Sequence, residues 1–476
     1  MPKFIFVSMF TSPEPGAAPE ERCEFLEEVI EEVLAWRPYV RGGRILYLGP
    51  GWICGRGREP SRLAQDADHV TFVLHMPSAA KGGASVPLER LADNVTCKCA
   101  DVNELSFPPS SFEMVVGAWV LSGLSDLQAN DFLHRVLDWL VPEGHFVFRE
   151  ACGFHEGPRP SNSTLPRSAV SYCQMLHSVN AGSSAFAVLR AKSLMSYIIH
   201  EGDPVKMCFL ARRSQEGSAA QHAVDIRYSE AFILKLEWLL GHTWVSTGGE
   251  STTREFCRQL GLRPGQRVLD VGCGSGGSAF FMSRLYGVHV HGVDISSNMI
   301  DLAVQRQTHL RRAQRKRLQF EMRDILDADY GDCSFDVIYS RNSVLHITNK
   351  EELFAKLYRW LKPSGTLFVT DYCLGPAPTS RPFADYMAKS SMSLVTVRDY
   401  GRVVTRAGFS LIARDLGNEF DRIQQNELDA FIPTQEAFAQ EYSQEEFEGM
   451  VTVATNKLTW IRTRQLTWAS FVGRKL

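Results

Sequence analysis

Apolar residues along this chain recur with two alternating periods. Glu20 to Trp36 carries them at helical spacing (Phe25, Leu26, Val29, Ile30, Val33, Leu34), with acids on the other face, which predicts an amphipathic helix. Short apolar runs then predict buried strands at Arg44–Gly51, Val70–His75, Asn94–Val102, Phe112–Trp119 and His145–Arg149. Asp131–Leu140 reads as a helix closed by Pro142-Glu-Gly144, Ala185–Ile199 has helical character, and Met207–Arg212 reads as a closing strand. The succession then returns. Helices are expected at Ala231–Leu240, Thr252–Leu260, Ser278–Tyr286, Asn298–Arg317 and Glu352–Leu361. Strands are expected at Arg267–Val271, Val288–Asp294, Leu318–Met322, Ser334–Arg341, Thr366–Tyr372 and Ser410–Ala413. Residues 380–400 predict a helical insert, and the tail from Asn456–Trp460 to Trp468–Phe471 is expected to complete the sheet. Alternating strands and helices predict an α/β fold of two doubly wound sheets, an internal duplication at domain scale.

Turn-forming residues divide this pattern. Gly153 to Ala169 is rich in Pro, Ser, Asn and Gly and reads as a long loop, whereas the small polar stretch Arg213–His222 reads as a linker. The expected domains are therefore 1–212 and 225–476, joined by 213–224.

The candidate chemistry lies in the second half. Asp270-Val-Gly-Cys-Gly-Ser-Gly-Gly277 ends a strand and opens a helix, and glycines 272, 274 and 276 let backbone N–H groups approach a ligand there. Asp294, at the end of the next strand, is placed to accept from ribose hydroxyls. Asp324 follows Leu318–Met322, where an adenine amino group would be read. This order of acids and glycines resembles the S-adenosylmethionine site of class I methyltransferases, so each half is expected to be a Rossmann-like domain of that class. His346 follows the fourth strand of the second half, at a carboxyl end where ligands of open α/β sheets bind. The first half has Tyr47 or Leu48 where Asp270 stands, and Leu74-His75 at the ribose acid. Its third glycine falls among Ile53, Cys54 and Gly55, and only Asp101 survives as an adenine reader. That domain is expected to be degenerate and without a cofactor site.

Composition narrows the partners. Of 476 residues, 44% are hydrophobic and 22% charged, with a net charge of −3, which gives no reason to expect nucleic acid or an anionic membrane. No apolar run approaches a membrane span. Phe4–Phe10 is short and soon followed by acids, and eleven cysteines lack Cys-x-x-Cys spacing, so a cytosolic start and reduced thiols are expected. The basic run between Arg306 and Arg317 reads as a solvated helix end rather than a polyanion site.

Residues 225–476 resemble the phosphoethanolamine N-methyltransferases, the phosphobase methyltransferases of plants, nematodes and Plasmodium. The matching motifs are Arg227-Tyr-Ser-Glu, Val245-Ser-Thr-Gly-Gly, Asp294-Ile-Ser-Ser-Asn-Met, Ile338-Tyr-Ser-Arg-Asn-Ser-Val-Leu-His346, Trp360-Leu-Lys-Pro-Ser-Gly and Thr370-Asp-Tyr-Cys373. An eroded first domain before an intact second one resembles the second nematode type, in which the C-terminal domain performs the later methylations to phosphocholine. The resemblance implies S-adenosylmethionine as cofactor, a small phosphobase as substrate, no metal, no membrane insertion, and a cytoplasmic monomer that feeds phosphatidylcholine synthesis. It implies a catalytic dyad of Tyr228 and His346, and Tyr372 and Lys457 holding the phosphate. It also implies cofactor contacts from Val245, Ser246, Asp270, Gly272, Gly274, Asp294, Ile295, Asp324, Ile325 and Arg341. The family's Arg-x-Tyr of the insert is replaced here by Ser390-Ser-Met392. Arg227, or else Lys389, is the candidate to supply the missing phosphate ligand. The alternatives are methylation of another small amine such as sarcosine, all three steps from phosphoethanolamine, and a regulatory scaffold without turnover.

Overall fold

The computed structural model describes residues 25, 27–32, 35, 42–49, 58–75, 91–154, 166–215 and 219–476. Ile53, Cys54 and Gly55, expected in the first glycine turn, lie outside the described residues, as does the middle of the 153–169 loop. Contacts divide the chain into two compact units, residues 1–223 with 304–319, and residues 224–303 with 320–476.

The first unit contains β1 (Arg44–Gly49), β2 (His69–His75), β3 (Val95–Ala100), β4 (Phe112–Ala118), β5 (Leu140–Ala151), β6 (Ser184–Ser193) and β7 (Lys206–Ser214). They lie in the order β3-β2-β1-β4-β5-β7-β6, the first five parallel and β7 antiparallel to both its neighbours. The second unit is built on β8 (Arg267–Val271), β9 (His289–Asp294), β10 (Leu318–Met322), β11 (Phe335–Arg341), β12 (Leu361–Leu374), β13 (Ser410–Asp415) and β14 (Leu466–Arg474). Their order, β10-β9-β8-β11-β12-β14-β13, is the same permutation, again with one antiparallel strand inserted next to the edge. Central strands of this kind are covered on both faces, which is why they read as unbroken apolar runs. Leu269, Val271, Ile338, Leu367 and Val369, for example, are all buried in one core with Trp360 and Phe471.

Four expectations need correction. Ala185–Ile199 is not helical throughout: β6 occupies Ser184–Ser193, and the helix spans only Met195–His200. Its run of alanines and leucine favours a helix locally, but full antiparallel pairing with β7 overrides that preference. The helix expected over 298–317 breaks after Thr308 and resumes at Arg312–Arg315. Buried Gln307 donates to the carbonyls of Arg315 and Leu318 at 3.1 and 2.9 Å, which folds the chain back on itself. In the tail, Asn456–Trp460 belongs to the helix Gln444–Arg462, and only the part from Leu466 onward joins the sheet. The segment expected as a linker is also partly regular, since β7 runs to Ser214 and a helix covers Ala219–Arg227.

Candidate active site

The site grows from the carboxyl ends of β8, β9, β11 and β12. Between β8 and the helix Gly277–Tyr286 the chain turns through Gly272, Gly274 and Gly276, all at positive φ (69°, 54° and 94°). A Cβ on Gly272 would come within 1.9 Å of Ser343 Oγ, so the turn closes tightly on the loop after β11. Asp270 stands just before this turn, 2% exposed, and its Oδ2 is buried with no hydrogen-bond partner among the described residues. Burial, then the neighbouring Asp294 charge, push its carboxyl up to about 7. Asp294 accepts from Gly274 N and Ser296 N, both at 3.0 Å, and burial raises it to about 6. Asp324 caps its own turn through Leu326 N at 2.9 Å, and its carboxyl is also raised by burial. Ile295 is half-buried beside Asp294, and Ile325 is buried in the core. Val245 packs with Tyr228 on Ile233, Met299 and Leu302, and lies 2.7 Å from where a Gly274 Cβ would be. Ser246 contributes its carbonyl to Gly249 N at 3.0 Å.

Tyr228 and His346 come together although 118 residues separate them, with Tyr228 Oη 3.2 Å from His346 Nε2. The other ring nitrogen, Nδ1, lies 3.2 Å from Ser391 O. A carbonyl only accepts, so Nδ1 carries the proton and Nε2 is the bare acceptor of the Tyr228 hydroxyl. Burial raises the Tyr228 hydroxyl to about 12 and lowers the His346 imidazole below its ordinary value. Both rest neutral, and the free base form of His346 persists at physiological pH.

A second polar cluster lies at the end of β12. Tyr372 Oη is 2.8 Å from Thr247 Oγ1, and Lys457 Nζ donates to Tyr372 Oη at 3.5 Å. Burial alone would lower Lys457, but Tyr372, Tyr386 and Glu427 around it hold the ammonium above its ordinary value. Arg227 is turned toward the insert, donating to Ser390 O at 3.2 Å and Ser391 Oγ at 2.5 Å. Lys389 is exposed at the end of the helix Arg381–Lys389. Arg341, expected to touch cofactor, donates to Thr247 O, Gly249 O, Thr252 Oγ1 and Thr253 Oγ1, holding the start of the helix Gly249–Leu260.

A methyltransferase-domain family model matches residues 262–430. The phosphoethanolamine N-methyltransferase 1 of Zea mays is 34% identical over 466 residues, covering 95% of this chain and 91% of the relative. The chain belongs to the phosphoethanolamine N-methyltransferase family. The phosphoethanolamine N-methyltransferase 3 of Arabidopsis thaliana agrees, at 33% identity over 93% of this chain and 91% of its own. Haemonchus contortus phosphoethanolamine N-methyltransferase 2, solved with phosphomonomethylethanolamine and S-adenosylhomocysteine, shares the fold at TM-score 0.78 and 18% identity, covering 95% of this chain and 98% of its own.

The sequence motifs left several contributors without a role. Asp225 accepts from Ser296 Oγ (3.1 Å), Ser297 N (2.8 Å) and Ser297 Oγ (2.8 Å), clamping the segment before Tyr228 onto the loop after Asp294. Its only signal was its place two residues before Arg227. Asn342 sits at positive φ (49°), accepts from Trp468 Nε1 at 3.0 Å and donates to Thr247 Oγ1 at 3.1 Å, tying the Tyr372 cluster to β14. Glu427 accepts from Gly248 N at 2.6 Å and is pushed up to about 7 by burial.

Proposed function

We propose that this protein methylates the nitrogen of phosphomonomethylethanolamine and phosphodimethylethanolamine with S-adenosylmethionine, ending in phosphocholine. The observation that carries the reading is the 3.2 Å Tyr228–His346 pair with its tautomer fixed by Ser391 O.

The residues fit the cofactor. The partnerless, buried Asp270 Oδ2 is an acceptor suited to a cationic amino group. Asp294 has acceptor capacity beyond its two backbone bonds, as ribose hydroxyls need, and Asp324 stands where an amino group of the base would be read. Val245, Ser246, the glycine turn, Ile295 and Ile325 complete that set. When bound, the cofactor supplies an electrophilic methyl on sulfonium. An alkylammonium titrates near lysine, so the acceptor arrives protonated and must lose its proton before its lone pair can attack. His346 Nε2 takes that proton through the Tyr228 hydroxyl, which gives its own proton to Nε2 as it receives the substrate's. Ser391 O then stabilises the imidazolium at Nδ1. Between unperturbed groups this transfer is uphill by about 5 kcal/mol, small against the acceleration an enclosed site provides.

Lys457 and the Tyr372 hydroxyl supply the charge and donor that a phosphomonoester needs. Arg227 is a third ligand in this reading, releasing Ser391 Oγ when substrate binds. Arg227→Ala then raises KM for the phosphobase about tenfold, and an unchanged KM removes Arg227 from the set. The first unit, residues 1–212 in the sequence reading, holds no cofactor, and the chemistry belongs to 225–476. The same reading has the protein act as a cytosolic monomer.

The decisive experiment is transfer of labelled methyl to phosphoethanolamine, its monomethyl form and its dimethyl form. Turnover of the last two alone is the expected result. Turnover of all three is the second reading, favoured by the full-length likeness to plant proteins named phosphoethanolamine N-methyltransferase. No turnover with any acceptor overturns both.

A further inference from the structure

We propose that Lys350 is a positioning residue for methyl transfer, its ammonium stitching the loop that bears His346 to the segment whose carbonyl fixes the imidazole. This rests on the reading of His346 as the base.

Lys350 is the first residue of the helix Lys350–Trp360 and is only 5% exposed. A buried cation at a helix N-terminus is doubly unfavourable, through desolvation and through the sign of the helix dipole. Compensation comes from two carbonyls, Ile347 O at 2.6 Å and Ser393 O at 2.8 Å. Ile347 follows His346 directly, and Ser393 lies two residues beyond Ser391, whose carbonyl holds His346 Nδ1. Ser393 N returns a bond to Leu345 O at 2.7 Å, so the two segments are joined on both sides of the imidazole. Asp371 on β12, fully buried, accepting from Tyr400 Oη at 3.2 Å and next in sequence to Tyr372, favours the ammonium, although burial pushes its own carboxyl up to about 8. One ammonium thus joins the loop of the base to the segment that holds its imidazole.

The charged groups facing His346 are Arg227 from the N-terminal segment and Lys350 from its helix, with the neutral Tyr228 hydroxyl at Nε2 and the Ser390 and Ser391 backbone from the insert. After burial, both cations lower the imidazole, the Ser391 and Ser390 bonds opposing them. Removing Lys350 therefore loosens the stitch and also raises the base.

The test uses the full chain with phosphodimethylethanolamine, comparing wild type with Lys350→Met and Lys350→Arg. Lys350→Met keeps the apolar stem and drops the ammonium. It is expected to lower kcat by about ten- to a hundredfold. Cofactor affinity by calorimetry should stay within about threefold, and the acid limb of kcat/KM should move to higher pH. Lys350→Arg is expected to restore the limb and most of kcat. Unchanged kcat and pH profile in Lys350→Met, or a loss that only tracks cofactor affinity, overturns the proposal. Should Lys350→Met not fold, Lys350→Gln decides, since its amide reaches for the same carbonyls without charge. An upward-shifted limb supports the proposal and an unmoved one sinks it. His346→Ala separates the two readings: if it keeps turnover, the base assignment fails, whereas a silent Lys350→Met beside a dead His346→Ala overturns only this inference.

Discussion

The two units share one scaffold and differ at the positions where chemistry needs a side chain. Strand pairing sets Tyr47 against Val116 in the first unit and Asp270 against Tyr339 in the second, at matching places before Gly49 and Gly272. By the same register Leu74 stands for Asp294, and Ala151 for Tyr372. Trp119 and Asn342 both take positive φ after the fourth strand, at 56° and 49°, and each opens a short helical turn, Leu121–Gly123 and Val344–His346. Gly123 therefore holds the place of His346. Both turns rest on a buried cation: Arg167 donates to Leu121 O and Leu124 O at 2.7 and 2.8 Å, as Lys350 does to Ile347 O. Backbone devices and the third acid, Asp101 or Asp324, are kept in both units, while the first two acids, the imidazole and the phenol are kept in one.

The sharpest way to break this comparison is to write the first unit's residues into the second. His346→Gly should lower kcat about a thousandfold while the protein folds and binds cofactor; a loss below about threefold would remove the dyad from the mechanism. Asp294→Leu should weaken cofactor binding by about ten- to a hundredfold in calorimetry, the cost of a lost pair of charge-assisted hydrogen bonds. The reverse exchange, Tyr47→Asp with Leu74→Asp, should leave the stoichiometry at one cofactor per chain. It should also destabilise the first unit by about 3–5 kcal/mol in denaturant titration, since both carboxylates enter a dry core. A second equivalent of bound cofactor would contradict the proposed inactivity of that unit.

The smallest effect concerns pH. The folded-state carboxyl of Asp270 titrates at about 7 against about 3.9 when unfolded, so the native state binds its proton more tightly. Its contribution to stability is full below about pH 4, declines as pH rises through 7, and is absent above. Asp270→Asn in the absence of cofactor should melt a few degrees above wild type at pH 8, with the difference gone near pH 4. A difference that persists at pH 4 would mean that packing, not charge, sets it.

Much of the fold was legible because parallel strands buried on both faces leave near-continuous apolar runs, and their glycine turns mark the ends. β6 was not, because its Ala-rich sequence carries no alternation and only its pairing partner makes it a strand. The acids of the glycine turn were legible because they sit in one local pattern. Asp225 and Lys350 were not, because their partners lie at Ser296 and Ser393, and nothing local distinguishes them from surface polar residues; Asn342 stood in a motif, but its pairing with Thr247 did not show. Arg341 was legible from its motif, and only the fold reveals the four acceptors around it.

In the first unit Tyr47 Oη donates to Glu59 Oε2 at 2.8 Å, and Arg149 reaches the same oxygen at 2.6 Å, all three side chains buried. This triad makes the divergence of the two halves a ratchet. An aspartate at position 47 alone would set two carboxylates side by side and remove the Tyr47 hydroxyl from Arg149, so that single change is worse than staying put. An exchange fenced in by mutual dependence does not drift back, which leaves the first unit free to be shaped by whatever else its surface meets.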